Sequence, residues 1–431
     1  MYRKIMDFLE EWKANEYRKP LVLQGARQVG KTYSILEFGR TYYENVAYFN
    51  FETNPKLNDT FEENISPDYL LPILSHIAGQ TIVKEKTLIV FDEVQLCERA
   101  LTSLKYFCED APDYHIIVAG SLLGVAVNRA KFSFPVGKVD MKTMYPMDME
   151  EFMLALGEES LVEQIKRSFL TNMPLPSALH NMAIQLYRQY LIIGGMPECV
   201  MQFVHTKDYI LVRHTQDTIL ASYLNDMSKY NNLNEIKKTR LAYDNITVQL
   251  SKKNTRFQYK LIKKGGRASE FENAIEWLCL SGIVSQVYKV EQIKKPLENY
   301  RDIDAFKIYV SDLGLLCAKK NLMATDILYM VEELNDFKGG MAENYVNVQL
   351  SMNGYTTYYW ESERGAEIDF IIQREGHIIP IEVKSADNTK AKSLKVYMDT
   401  YKPGYAIKLS AKNFGFEDNK KIVPLYAAFC I

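Results

Sequence analysis

Residues Gly25, Ala26, Arg27, Gln28, Val29, Gly30, Lys31 and Thr32 spell G-x-x-x-x-G-K-T. Two glycines at this spacing let a backbone curl until several N–H groups point at one phosphate chain. A helix opening at Lys31 would add the positive end of its dipole. Lys31 is expected to reach the β- and γ-phosphates, and the Thr32 hydroxyl to bind Mg²⁺. A glycine turn with a surface lysine is the plainer alternative, and the flanks weigh against it. Leu21-Val22-Leu23 reads as a buried strand before the loop, and Thr32 to Phe38 reads as helix after it. Strand, loop and helix in that order are the setting a phosphate-binding loop requires.

Further acids fall where such a loop needs them. Leu88-Ile89-Val90-Phe91 is an apolar run that ends in Asp92-Glu93. Asp92 is placed to hold Mg²⁺, and Glu93 to activate water as a general base. A helix cap is the alternative for an Asp-Glu pair at a strand end. A fourth apolar run, His115 to Ala119, ends at Gly120-Ser121. Ser121 could sense the γ-phosphate or position water, or could simply cap a helix. With Val46 to Phe51 these runs make strands that alternate with helical segments, which predicts a parallel sheet covered on both faces. Lys31, Asp92 and Ser121 all fall at the carboxyl ends of strands, where ligands of such sheets bind.

A second constellation lies near the end of the chain. Glu343 sits inside a helical stretch, Asp369 in Glu367 to Ile372, and Glu382 and Lys384 in Ile378 to Lys384. Period two puts Glu382 and Lys384 on one strand face. If the two strands pair as a hairpin, Asp369 joins them. Asp369 and Glu382 could then chelate Mg²⁺, with Lys384 stabilising charge on a phosphorane. Structural ion pairing is the alternative.

The stretches GARQVGKT, LIVFDEVQ, VAGS and FPVGKVDMKTMYPMDMEEF resemble the AAA-type ATPases of a large prokaryotic family with an uncharacterised C-terminal domain. The resemblance covers nearly the whole chain and implies ATP as the nucleotide. It also implies a strand added between the Walker A and Walker B strands, and it takes in Gly194-Gly195-Met196-Pro197 as a structural turn in a helical lid. After Gly137 that family usually has arginine, whereas this chain has Lys138, a poorer bidentate phosphate ligand. Arg129 is a weaker candidate for an arginine finger. The tail resembles the PD-(D/E)xK restriction-endonuclease-like fold. That likeness implies Glu343 as the helical acid, Asp369 as the first strand acid, and Glu382 with Lys384 as the final pair. The proline that gives the motif its first letter is absent before Asp369, where Ile368 stands.

The rest of the chain must position these groups. The expected architecture is α/β, with four parts. A P-loop NTPase parallel sheet spans 1–150 and a helical lid 151–235. A winged helix-turn-helix spans 236–330, and a small α/β nuclease-like domain 331–431. The segment from Lys252 to Arg267 holds Lys252, Lys253, Arg256, Lys260, Lys263, Lys264 and Arg267 with no carboxylate, which suggests nucleic acid. The helix that follows carries Glu270, Glu272 and Glu276, which would repel phosphates, so a face for an unknown protein partner is the stronger alternative.

Composition sets the outer bounds. The chain has 431 residues, 47% hydrophobic and 25% charged, enough for several cores. A formal net charge of −2 gives the whole molecule no strong pull toward nucleic acid or acidic membranes, so such binding needs a local patch. The six cysteines are scattered without a C-x-x-C pair, which argues against a zinc site or disulfide framework and for a reducing compartment. Met1 to Asp7 has no apolar core of the kind a signal peptide needs. With no apolar run long enough to span a bilayer, a cytoplasmic protein without membrane contact is expected.

Three functions stay open at this level. One is an Mg²⁺-dependent ATPase that drives a conformational change of a nuclease-like tail. Another is a metal-dependent nuclease gated by ATP. The third is a nucleotide-switched module that binds nucleic acid or protein without cutting.

Overall fold

A computed structural model describes residues 1–120, 134–229, 233–250, 256–385 and 392–431. Ser121, Arg129, Lys252 and Lys253 lie outside the described residues. The chain divides into two compact units, Tyr2–Tyr145 with Leu280–Gly282, and Pro146–Cys279 with Ile283–Ile431.

In the first unit, β1 (Leu21–Gln24), β2 (Asn45–Asn50), β3 (Thr87–Asp92), β4 (His115–Gly120) and β5 (Asp140–Thr143) form one sheet. Its order is β2-β3-β4-β1-β5, and every neighbouring pair is parallel. β4 therefore lies between the strand that leads into the phosphate loop and the strand that ends in Asp92-Glu93. Every residue of β3 and β4 is buried, which is why both read as unbroken apolar runs. On one face Phe51, Phe61 and Phe91 pack with ring centroids 5.6–5.9 Å apart, an offset or edge geometry that aromatic pairs prefer. β5 has no apolar signature. Its D-M-K-T residues are half-buried or exposed at the sheet edge, so periodicity gave nothing to read.

The second unit begins with helices. Met149–Ala155 starts on a capping box in which Asp148 accepts from the Glu151 N–H and Glu151 accepts from the Asp148 N–H. Helices Glu159–Thr171, Ser177–Ile193, Pro197–Thr206 and Tyr209–Lys229 follow. Between Ser177–Ile193 and Pro197–Thr206, the Gly-Gly-Met-Pro turn is a point of close approach. The Gly195 N–H donates to Asp312 Oδ2 at 2.6 Å. A Cβ on Gly195 would stand 2.0 Å from the Met147 carbonyl oxygen. Asp312 also caps helix Leu313–Lys319 by accepting from the Leu315 N–H at 2.8 Å.

The same unit holds an eight-stranded sheet. Its strands are β6 (Val284–Val290), β7 (Arg301–Val310), β8 (Tyr358–Glu361), β9 (Glu367–Arg374), β10 (His377–Val383), β11 (Ala406–Ser410), β12 (Gly415–Glu417) and β13 (Lys420–Pro424). They run in the order β12-β13-β11-β10-β9-β8-β6-β7. β6 and β7, which lie in the stretch 236–330 expected to be a winged helix-turn-helix, continue this sheet, because β6 pairs with β8 through Tyr288–Tyr358 and Lys289–Tyr359. β9 and β10 form an antiparallel hairpin closed by Glu375 and Gly376, with φ of 48° and 77°. Two left-handed residues in a two-residue loop match the right-handed twist of the strands they join. Helix Asn335–Met352, which carries Glu343, packs against β7 and β10.

Candidate functional site

The phosphate loop owes its shape to three left-handed residues. Gly25, Gln28 and Gly30 have φ of 146°, 65° and 93°. At Gly25 glycine is required twice over, since a Cβ would also lie 2.1 Å from the Met144 carbonyl oxygen. Gly30 is the N-cap of helix Lys31–Tyr42, so the helix points its free N–H groups into the loop. Arg3 is buried and holds the loop from behind, donating to the carbonyls of Val29 and Tyr145 at 2.9 Å each.

Lys31 folds back over the loop. Its Nζ donates to the carbonyls of Gly25 at 2.9 Å and Ala26 at 2.8 Å. Burial pushes its pKa down to about 8, against the pull of Glu93 and Asp92. At neutral pH it is still mainly a cation, anchored on two of the loop's own carbonyls.

Thr32 and Asp92 meet directly. The Thr32 hydroxyl donates to Asp92 Oδ2 at 2.9 Å, and Tyr48 donates to the same oxygen at 2.7 Å. Asn50 Nδ2 donates to the Tyr48 hydroxyl at 3.1 Å, so β2 supplies a chain of polar groups behind the carboxylate. Asp92 Oδ1 accepts the Glu93 N–H at 3.0 Å. Glu93 has φ of 51°, a costly value for a side chain of this size. Burial raises its pKa, with the Asp92 charge adding to the effect, while the Gln95 amide and nearby cations oppose it. Gln95 Nε2 hydrogen-bonds Glu93 Oε2. A hydroxyl and a carboxylate oxygen at hydrogen-bond distance, beside a cationic loop, are a donor set that fits a hard divalent cation. Lys138, at the position where the resembled family has arginine, pairs with Glu109 at 2.7 Å.

The acidic set of the tail is also drawn together. The β9–β10 register runs as far as Ile381 with Phe370, and Glu382 and Asp369 are the next residues of their strands. Asp369 Oδ2 accepts the Val383 N–H at 2.7 Å. Lys384 Nζ lies 2.9 Å from Glu382 Oε1. Glu382 is 2% exposed, and its Oε2 is buried with no hydrogen-bond donor among the described residues. Burial, then the Glu343 charge, raises the Asp369 pKa to about 7.

Glu343 faces a different cation. Its Oε2 accepts from Tyr309 at 3.1 Å and lies 3.5 Å from Lys307 Nζ, which also pairs with Glu367. Burial works against the Lys307 charge, but Tyr309, Glu343, Glu367 and Asp369 outweigh it and raise its pKa. Among the described residues no three acidic, histidine or cysteine side chains stand close enough to hold one metal ion. The orphaned Glu382 Oε2 is suited to a cation, and the buried ammonium of Lys307 and the half-buried one of Lys384 already neutralise part of the cluster.

Sequence reasoning missed Arg3, Tyr48, Gln95, Lys307, Tyr309 and Glu367. Tyr48 left a trace, being two residues from Asn50 on the strand beside Asp92. Lys307 left one too, as a lone cation in the apolar run Phe306 to Val310. In the basic segment, Arg256 donates to the Asp304 carbonyl at 2.6 Å and Lys263 pairs with Glu270 at 3.1 Å.

Residues 17–153 match the model of an AAA domain. This match, on a parallel sheet with the phosphate loop after β1, defines an AAA-type P-loop ATPase domain. Residues 184–326 and 338–428 match two domains of unknown function, DUF8612 and DUF4143. No curated protein matches the chain. Among solved structures, the ORC2 protein of Aeropyrum pernix in ADPNP-ADP complexes is similar at 11% identity and TM-score 0.40, covering 77% of this chain and 93% of that one. The Aeropyrum pernix ORC1 protein in complex with DNA has 12% identity and TM-score 0.31, covering 74% and 91%. The RuvB Holliday junction branch migration motor of Thermotoga maritima has 15% identity and TM-score 0.27, covering 65% and 87%. Likeness this distant carries no argument about ligand or partner. No helix among the described residues is long and apolar enough to cross a membrane.

Proposed function

We propose that the chain is an Mg²⁺-dependent ATPase whose nucleotide state changes the conformation of its nuclease-like tail. The observation that carries this reading is the junction of Thr32, Asp92 and Lys31. The Thr32 hydroxyl is 2.9 Å from the Asp92 carboxylate, and Lys31 is anchored at 2.8–2.9 Å on the loop carbonyls. On this reading the loop from Gly25 to Thr32 binds the phosphates, and Lys31 neutralises charge on the β/γ-oxygens. Thr32 and Asp92 would hold the metal, which would supply charge neutralisation at the phosphates when bound. Glu93 takes the proton of the attacking water, a task suited to a carboxylate whose pKa is raised. Ser121 would sense the γ-phosphate or position the attacking water.

The test is ATP turnover by the purified chain in Mg²⁺. Glu93→Gln is expected to keep nucleotide binding and lose turnover by about 10²- to 10⁴-fold. Turnover unchanged in Glu93→Gln would sink the assignment.

A second reading, a metal-dependent nuclease gated by ATP, is favoured by Asp369 and Glu382 following the last paired residues of β9 and β10, with Glu382 Oε2 buried and without a donor among the described residues. Intact DNA and RNA after incubation with Mg²⁺ or Mn²⁺ would dismiss it. A third reading is a non-cleaving module that engages nucleic acid, or a protein partner through the basic segment 252–267. The ion pairs of Lys384 with Glu382 and of Lys307 with Glu343 and Glu367 favour it. It predicts nucleotide-dependent binding without strand scission.

A further inference from the structure

Glu93 leads into a single 3₁₀ turn, Val94–Leu96, whose backbone is pinned. The Glu93 N–H donates to Asp92 Oδ1 at 3.0 Å, the Leu96 N–H to the Glu93 carbonyl at 3.0 Å, and the Cys97 N–H to the Val94 carbonyl at 2.9 Å. Val94 is fully buried in the core that also holds Phe91. On a regular helix, residues two apart point in different directions. The left-handed torsions of Glu93, φ 51° and ψ 39°, break that pattern, and Gln95 Nε2 donates to Glu93 Oε2. Among the described residues no other side chain hydrogen-bonds the Glu93 carboxylate. The other half of the Gln95 amide has no partner. Its Oε1 is buried and accepts no hydrogen bond among the described residues. A buried amide oxygen without a donor weakens the folded state, so folding does not account for a glutamine at this place. The one hydrogen bond its side chain makes is to Glu93.

We infer that Gln95 is a positioning residue for ATP hydrolysis, holding the Glu93 carboxylate in the rotamer from which it takes the proton of the attacking water. The inference rests on the reading of Glu93 as general base. A glutamate side chain has several free torsions, and a hydrogen bond to one carboxylate oxygen confines them while the other oxygen can still accept from water. In the step so served, the water oxygen bonds to the γ-phosphorus, and ADP leaves with the electron pair of the broken bond to the bridging oxygen. One water proton passes to Glu93 and the other stays on the new phosphate. Misplacing a reacting group by about 1 Å costs on the order of 10²-fold in rate, so one amide contact that fixes the base has a large effect on turnover. The left-handed torsions of Glu93 point the same way, because uncommon backbone conformations persist where they aim a reacting group.

The experiment measures ATP turnover by the full chain in Mg²⁺, together with the thermal midpoint of each variant. Gln95→Met keeps the length of the side chain and removes both amide groups. It is expected to lower kcat about tenfold to a hundredfold and to leave KM within about twofold. It should melt at or above the wild-type temperature, because the buried oxygen without a donor is gone. A glutamine with a merely structural role would lose midpoint and kcat together, and that result overturns the inference. Gln95→Glu keeps the shape and loses the donor. The same fall in kcat is expected of it, so the test stands even if Gln95→Met fails to fold. Added to Glu93→Gln, Gln95→Met is expected to cost less than about a further twofold, since a positioning residue acts through the group it positions. Full additivity in that double variant overturns the inference, as does wild-type kcat in Gln95→Met or Gln95→Glu. A kcat above wild type also overturns it, since the contact would then restrain Glu93 rather than aim it. Absence of turnover in the wild type, or turnover unchanged in Glu93→Gln, defeats the reading of Glu93 and this inference with it. Loss of turnover in Glu93→Gln beside full activity in Gln95→Met defeats this inference alone.

Discussion

Thr32 and Asp92, 60 residues apart in sequence, share a hydrogen bond of 2.9 Å, and Tyr48 donates to the same Asp92 oxygen at 2.7 Å. Asp92 thus faces the loop with its carboxylate already aimed by two hydroxyls. A carboxylate aimed in this way loses little freedom when it takes up a cation. Tyr48→Phe deletes one hydroxyl and keeps the ring. Nucleotide affinity in EDTA is expected to change less than about twofold, while the Mg²⁺ concentration for half-maximal turnover rises about tenfold. An Mg²⁺ titration of ATPase rate compares the two proteins directly.

Lys31 gives nucleotide binding a pH dependence. Its pKa in the free protein is about 8, so binding a polyanion above that pH requires uptake of a proton. Affinity for ATP is expected to be flat below about pH 7 and to fall above about 8, by at most about tenfold per unit. Equilibrium titration with a fluorescent nucleotide between about pH 6.5 and 9.5 measures this. Lys31→Ala should bind weakly and show no such slope.

Asp369 carries a pH dependence of stability. Its pKa is about 7 in the folded protein, against about 3.9 for an unperturbed aspartate. The folded state therefore holds more protons than the unfolded one between those values. Its contribution is favourable below about 4 and is lost as pH rises through about 7. Asp369→Asn removes that loss. The variant is expected to melt at or above the wild-type temperature at pH 8, with a flatter profile from pH 4 to 7.

Lys307 is buried between Glu343 and Glu367. Lys307→Met leaves two carboxylates without their cation and is expected to cost about 3–5 kcal/mol. Lys307→Met with Glu367→Gln should recover a good part of this, because fewer unpaired charges stay buried. Denaturant unfolding of both variants gives the comparison.

Gly195→Ala tests the turn. A Cβ there meets the Met147 carbonyl oxygen at 2.0 Å, so the backbone has to move. A loss of about 2 kcal/mol or more is expected, visible as a lower thermal midpoint. Gly79→Ala supplies a contrast, since a Cβ at Gly79 meets nothing within 4 Å and only its φ of 65° opposes the change.

What the sequence by itself determined was the local chemistry and the strands that carry it. G-x-x-x-x-G-K-T needs glycine torsions that few other residues allow, and β3 and β4 are buried on both faces, so both signals are strong in a single chain. Glu382 and Lys384 were readable as neighbours because a strand repeats every two residues. β5 was not readable, since a polar edge strand has no periodic burial. The pairing of β6 with β8 was equally hidden, because hydrogen bonds between distant strands leave no mark on local spacing. Only the tertiary structure decided that Tyr48 donates to Asp92 and that Lys307 neutralises Glu343 and Glu367. Each of these joins side chains from separate elements, and their distances are set by packing and strand register rather than by separation along the chain.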